Sequence, residues 1–146
     1  MQKLLILLLF VTGLAACGSK TDGAATQTES QTESPKNDFV EVLYFHGAQR
    51  CPTCQAIEQC AREVVEAEFP DELKSGKVVF KVVDISTSEG ESLADRYEVT
   101  WSSLFVNDWK GGKETKNDLT DFAFGNARSN PDEFKTELAD TIRKML

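Results

Sequence analysis

Basic side chains are scarce in this 146-residue chain: 16 Lys and Arg stand against 24 Asp and Glu, for a formal net charge of −8. None of them are clustered, so a nucleic-acid backbone has no surface to meet. Long apolar runs are missing too. The longest, residues 4–11, falls well short of the ~18 residues a membrane-spanning helix needs. Histidine occurs once, as His46, and cysteine only four times, as Cys17, Cys51, Cys54 and Cys60. With Cys17 set apart near the amino end, the remaining three are an odd number. That argues against a scaffold stapled by disulfides and for a working pair plus a bystander. Nor are staples needed, because the chain after residue 37 is long enough to bury one core of its own.

What is present at the start is a leader. Lys3 precedes the apolar run, and Leu14-Ala15-Ala16-Cys17 follows it. This resembles a bacterial lipoprotein signal. The resemblance implies that residues 1–16 are a signal peptide, that Cys17 is the lipidated first residue of the mature chain, and that the protein is held in the bacterial cell envelope on a periplasmic or surface face. An ordinary secretory signal with an incidental cysteine is the plainer alternative. A surface-lying amphipathic helix fits less well, since Leu4 to Leu9 are apolar all round. Residues 17–37 then read as the lipidated cysteine and a disordered tether: the near-repeat Thr26-Gln27-Thr28-Glu29-Ser30-Gln31-Thr32-Glu33-Ser34 has no large apolar group to offset its ordering entropy. A flexible coil of that length spans roughly 25 Å.

The domain expected over residues 38–146 carries its chemistry in Cys51-Pro52-Thr53-Cys54, placed where the apolar strand Val40-Glu41-Val42-Leu43-Tyr44-Phe45 gives way to a helix. Two cysteines separated by two residues at a helix start lie close enough to bridge, and the outer one faces unpaired N–H groups and the positive end of the helix dipole. That favours thiolate, the form that attacks disulfides. At about 100° per residue Cys54 falls within ~60° of Ile57 and shares the buried face, while Cys51 sits at the exposed tip. Cys51 is therefore the expected nucleophile and Cys54 the resolving thiol. Arg50 is expected to lower the Cys51 pKa, Thr53 to donate a hydroxyl or backbone N–H, and Pro52 to stiffen the turn. No histidine stands between the cysteines, which predicts an intermediate reduction potential. An inert structural bridge is the bland alternative, although so short a loop gains little stability from bridging.

Onward, apolar residues at Ile57, Cys60, Ala61, Val64, Val65 and Phe69 predict a helix over residues 55–69, stopped by Pro70. Residues 77–85 read as a central strand buried on both faces and parallel to the first. A short helix over residues 88–97, a third strand at 103–107 and a fourth within 114–124 after Gly111-Gly112 come next. The last helix is capped by Asn130, opens at Pro131 and buries Phe134, Leu138, Ile142 and Met145.

This β-α-β-α-β-β-α order, an α/β domain with a central mixed sheet flanked by helices, resembles the thioredoxin fold. The resemblance is anchored in Leu43-Tyr44-Phe45 before the cysteine pair, in Val82-Val83-Asp84, and in Leu93-Ala94-Asp95-Arg96-Tyr97-Glu98-Val99 before the third strand. Tyr44-Phe45-His46-Gly47 with Arg50-Cys51-x-x-Cys54 also looks like a group called nitrophenyl-compound nitroreductase subunits, a resemblance that implies no nitro-reducing chemistry here. Three departures from the thioredoxin pattern stand out. The family's cis-proline facing the cysteines is replaced by Ser102; its buried acid on the first strand is absent, with Tyr44 nearest that position; and Arg50 stands where thioredoxins carry tryptophan. A cis peptide at a non-proline residue would cost ~3 kcal/mol.

The combined reading predicts a membrane-tethered thiol–disulfide oxidoreductase acting through Cys51 and Cys54 on envelope proteins. It is a monomer without a cofactor, fed by an upstream electron donor, with a substrate groove at Trp101, Ser102 and Ser103. Two alternatives stand beside it. One is a thiolate module for Cu(I) or As(III) built from Cys51, Cys54 and His46, opened to metals by Ser102. The other is a non-catalytic partner of a larger redox enzyme. His46 reads more simply as a loop residue bonded to backbone, and Cys60 as a buried, inert thiol, since it lies about 240° around and ~9 Å along the helix from Cys54. Trp109 either lines the groove or caps the sheet edge.

Overall fold

The alternation of Phe39-Val40-Glu41-Val42-Leu43-Tyr44-Phe45-His46 makes β1 (Phe39–His46), the strand around which the rest is built. In a strand successive side chains point to opposite faces. Val40, Val42 and Tyr44 accordingly enter one apolar cluster, and Leu43 and Phe45 enter another on the far side of the sheet. The computed structural model describes residues 38–146. The expected signal peptide over residues 1–16, Cys17 and the expected tether over residues 17–37 lie outside the described residues.

The other elements are α1 (Pro52–Glu68), α2 (Pro70–Ser75), β2 (Val78–Asp84), α3 (Ser88–Tyr97), β3 (Ser103–Lys110), β4 (Lys113–Thr115), α4 (Thr120–Asn126) and α5 (Pro131–Met145). The sheet order is β2-β1-β3-β4, with β2 parallel to β1 and the remaining pairs antiparallel. Helices α1, α4 and α5 cover one face through Ile57, Val64, Ala123, Phe134, Leu138 and Ile142. α3 covers the other through Ala94 and Tyr97, packed on Phe45 and Phe105. This is the expected mixed α/β architecture. No helix among the described residues is long and apolar enough to cross a membrane.

Several local expectations are corrected. β2 is an edge strand, not a central one: Val79, Phe80 and Val82 are only half-buried and Lys81 is exposed. A lysine in the middle of an unpaired edge discourages another strand from adding there, and the Arg62 guanidinium covers the Phe80 ring at 5.1 Å. Pro70 ends α1 but also begins α2, since its missing N–H costs nothing at a first helical position. The fourth strand is only three residues long, and much of the stretch assigned to it is α4. Asn130 does not cap α5 with its side chain, which reaches back to Asn126 instead.

Two registers set the functional end. His46 lies opposite Asp84 and Phe45 opposite Ser103. The carboxyl ends of β1 and β2 and the start of β3 thus meet at one edge, where residues 47–51 lead into α1. Gly90 at the start of α3 closes on the same edge, and a Cβ there would sit 1.9 Å from the Asp84 carbonyl oxygen.

Candidate active site

Cys51 is the N-cap of α1, in an extended conformation with φ −71° and ψ 160°. Its sulfur takes the place a serine or aspartate oxygen usually holds at such a cap: the Cys54 N–H donates to Cys51 Sγ at 3.1 Å. Pro52 follows at the first helical position, where no donor is wasted. Both thiols are free, Cys51 exposed and Cys54 buried, as the helical spacing predicts. The Cys51 pKa is lowered, first by a hydrogen bond from the Cys54 thiol, then by the backbone N–H groups of Cys54 and Thr53, which outweigh a small opposing effect of burial. Thr53 therefore acts through its backbone.

Arg50 does something other than what its position beside Cys51 suggests. Its guanidinium pairs with the Glu58 carboxylate and lies 5.9 Å over the Tyr44 ring. It is not among the groups that act most strongly on Cys51. Burial pushes the Glu58 pKa up, but hydrogen bonds from Arg50 and Arg62 outweigh it and hold the carboxyl below its ordinary range. The expected thiolate-supporting role of Arg50 becomes a bracing one, tying the loop before the cysteines to the second turn of α1.

Tyr44 is fully buried beneath the pair, and its hydroxyl donates to the Cys54 carbonyl oxygen at 2.7 Å. Burial raises its pKa, against the lowering effect of the Ser102 and Arg50 side chains on the same hydroxyl. A neutral phenol thus occupies the place expected of a buried acid, and Ser102, itself buried, connects it to the start of β3. Ser103 is buried and hydrogen-bonds the Trp101 carbonyl, while the Trp101 ring stands 68% exposed. His46 Nδ1 lies 3.0 Å from the Gly47 carbonyl oxygen, the plain loop contact. Cys60 is buried in the larger cluster, 3.9 Å from the Ala127 carbonyl, with its pKa raised by burial. Trp109 is elsewhere, stacked on Phe39 and donating to Glu41 near the opposite end of β1. Among the described residues no group of three or more His, Cys, Asp and Glu is gathered for a metal ion. Glu58 and Phe124 are parts of this region that sequence reasoning missed. Phe124 was hidden by reading its segment as a strand.

No protein-family model and no curated protein matches the chain. Among solved structures it is similar to a thioredoxin from Thermus thermophilus at 26% identity, covering 70% of this chain and 73% of that one with a TM-score of 0.47. It is also similar to the reduced thioredoxin pre-protein of Schistosoma mansoni at 20% identity, covering 78% and 85% with a TM-score of 0.49. Human ERp44 matches at 25% identity and a TM-score of 0.51 over 86% of this chain, which spans 30% of the ERp44 chain. Sheet order and flanking helices give the chain a thioredoxin-like fold, with a Cys-x-x-Cys dithiol at a helix start.

Proposed function

We propose that this protein is a thiol–disulfide oxidoreductase working through Cys51 and Cys54. The observation that carries the reading is the exposed Cys51 sulfur at the cap of α1, accepting the Cys54 N–H and held more acidic than an ordinary thiol. In the forward step the Cys51 thiolate attacks one sulfur of a substrate disulfide. A Cys51–substrate disulfide forms, and the other substrate sulfur leaves as a thiolate that takes a proton from water. Cys54, once deprotonated, attacks the Cys51 sulfur, closes the Cys51–Cys54 bridge and releases the second substrate thiol. Two electrons pass from the dithiol to the substrate, and a thiol donor of the same chemistry must return them. Burial keeps Cys54 from reacting first.

The leader motif supports tethering through a lipid on Cys17 in the bacterial cell envelope, with envelope proteins as substrates and a monomer as the working unit. The narrower nitroreductase-subunit resemblance adds no step. The test is a Cys54→Ser variant, which lacks the resolving thiol. It should accumulate mixed disulfides through Cys51 that dithiothreitol releases, and a further Cys51→Ser change should abolish them. Failure of the single variant to trap any disulfide partner, small or protein, would contradict the exchange role.

A further inference from the structure

A groove of ≈ 690 Å³ runs between the segment after α3, with Glu98, Thr100 and Trp101, and the segment entering α4, with Asp118, Asp121 and Phe122. Its lining holds three carboxylates, those of Glu98, Asp118 and Asp121, and no basic side chain. The nearby Lys116 is turned to the Arg96 carbonyl and the face of Tyr97. At the lip, Trp101 stacks on Phe124 with ring centroids 6.4 Å apart and an interplanar angle of 26°. Among the described residues these are two of the three large hydrophobic side chains left exposed, at 68% and 38%. A stacked aromatic pair left out of two available cores is a contact surface.

The groove and the surroundings of the dithiol share the start of β3. Ser103 lines the groove, its neighbour Ser102 acts on the Tyr44 hydroxyl, and that hydroxyl is bonded to the Cys54 carbonyl at 2.7 Å. A chain whose disulfide is presented to Cys51 can therefore lay its flanking residues past Trp101 and over the three carboxylates. Opposite charges gathered along a track raise the encounter rate of a matching partner. We infer that this groove selects disulfide-bearing polypeptides that carry lysine or arginine beside the target cysteine, with an apolar residue set against Trp101 and Phe124. The inference rests on the exchange reading above and names its substrate class.

The test uses two peptides, each with one cysteine in mixed disulfide with 2-mercaptoethanol, differing only in Lys-Lys or Glu-Glu beside that cysteine. Rates with the reduced protein are normalised, for each variant, to its rate with neutral 2-hydroxyethyl disulfide. The cationic peptide should react about tenfold faster at low ionic strength, and the advantage should shrink at about 0.5 M salt. The double change Glu98→Gln and Asp121→Asn should bring the ratio near one, whereas the same double charge loss at Glu66 and Glu137, outside the groove, should leave most of it. A wild-type ratio near one, or equal loss from both double variants, would overturn the inference and leave exchange standing. If no disulfide reacts, the exchange reading falls. Titration of cysteine-free versions of both peptides by tryptophan fluorescence then decides the groove: tighter binding of the cationic one supports it, and equal or absent binding overturns it.

Discussion

A sulfur atom at a helix start meets N–H groups that have no carbonyl to take, and Cys51 and Cys54 divide the consequence between them. Cys51 receives the donors, and Cys54 supplies the two strongest, its thiol and its backbone N–H. Replacing Cys54 with alanine removes the first of these, so the Cys51 pKa should rise, read as a shift in the ultraviolet absorbance of the thiolate with pH. Arg50→Gln should move it less, because the guanidinium is committed to Glu58 and Tyr44. The roles of the two cysteines were legible from helical angles alone. The commitment of Arg50 was not, because its partner lies eight residues on, across a loop whose path no periodicity describes. Tyr44→Phe leaves the ring in place and removes one buried hydroxyl contact. It should cost about 1 kcal/mol in a denaturant titration, with Cys51 still the faster thiol to alkylate.

Whole elements were legible where the sequence carries both a period and a stop signal. α1 and α3 lie where apolar spacing places them, and β1 needed only its alternation. α2 was missed although Pro70-Asp71-Glu72 offers a first-turn proline followed by acids, because the proline was read only as an ending. α4 was missed because its 7 residues, with Phe122, Ala123 and Phe124 as a short apolar run, are too few for spacing to separate strand from helix. β2 reads as central because its run is β-branched, and a single sequence does not show which strands lie beside it; Lys81 was the one sign of an edge. α3 gives two predictions. Gly90→Ala puts a Cβ against the Asp84 carbonyl and should destabilise the protein by ~1–3 kcal/mol, since backbone must move to admit it. Glu98 closes the helix with φ 57°, so Glu98→Gly should relieve ~1 kcal/mol of left-handed strain. The same change should weaken the preference for cationic peptides.

At the scale of the molecule, the order of strands and helices was enough to indicate the fold, because a parallel pair needs a crossover helix and two cysteines at that helix's start fall at the carboxyl edge of the sheet. The redox state is linked to stability through that edge. A thiol whose pKa is lower folded than unfolded adds stability that is fully present above the unfolded value, ~8.5, and is lost as pH falls through the folded value. The melting temperature of the reduced protein should therefore rise, relative to Cys51→Ala, as pH climbs through that window. The same preference for thiolate favours the reduced form and makes the bridge more oxidising than an ordinary dithiol. The whole account turns on Cys51 being the acidic, accessible sulfur. Its most direct test is the pH dependence of iodoacetamide alkylation of the reduced protein, resolved for each cysteine by mass spectrometry. Cys51 should react first, with a midpoint clearly below ~8.5, and Cys54 far more slowly. A Cys51 midpoint at or above the free-thiol value, or faster labelling of Cys54, would contradict it.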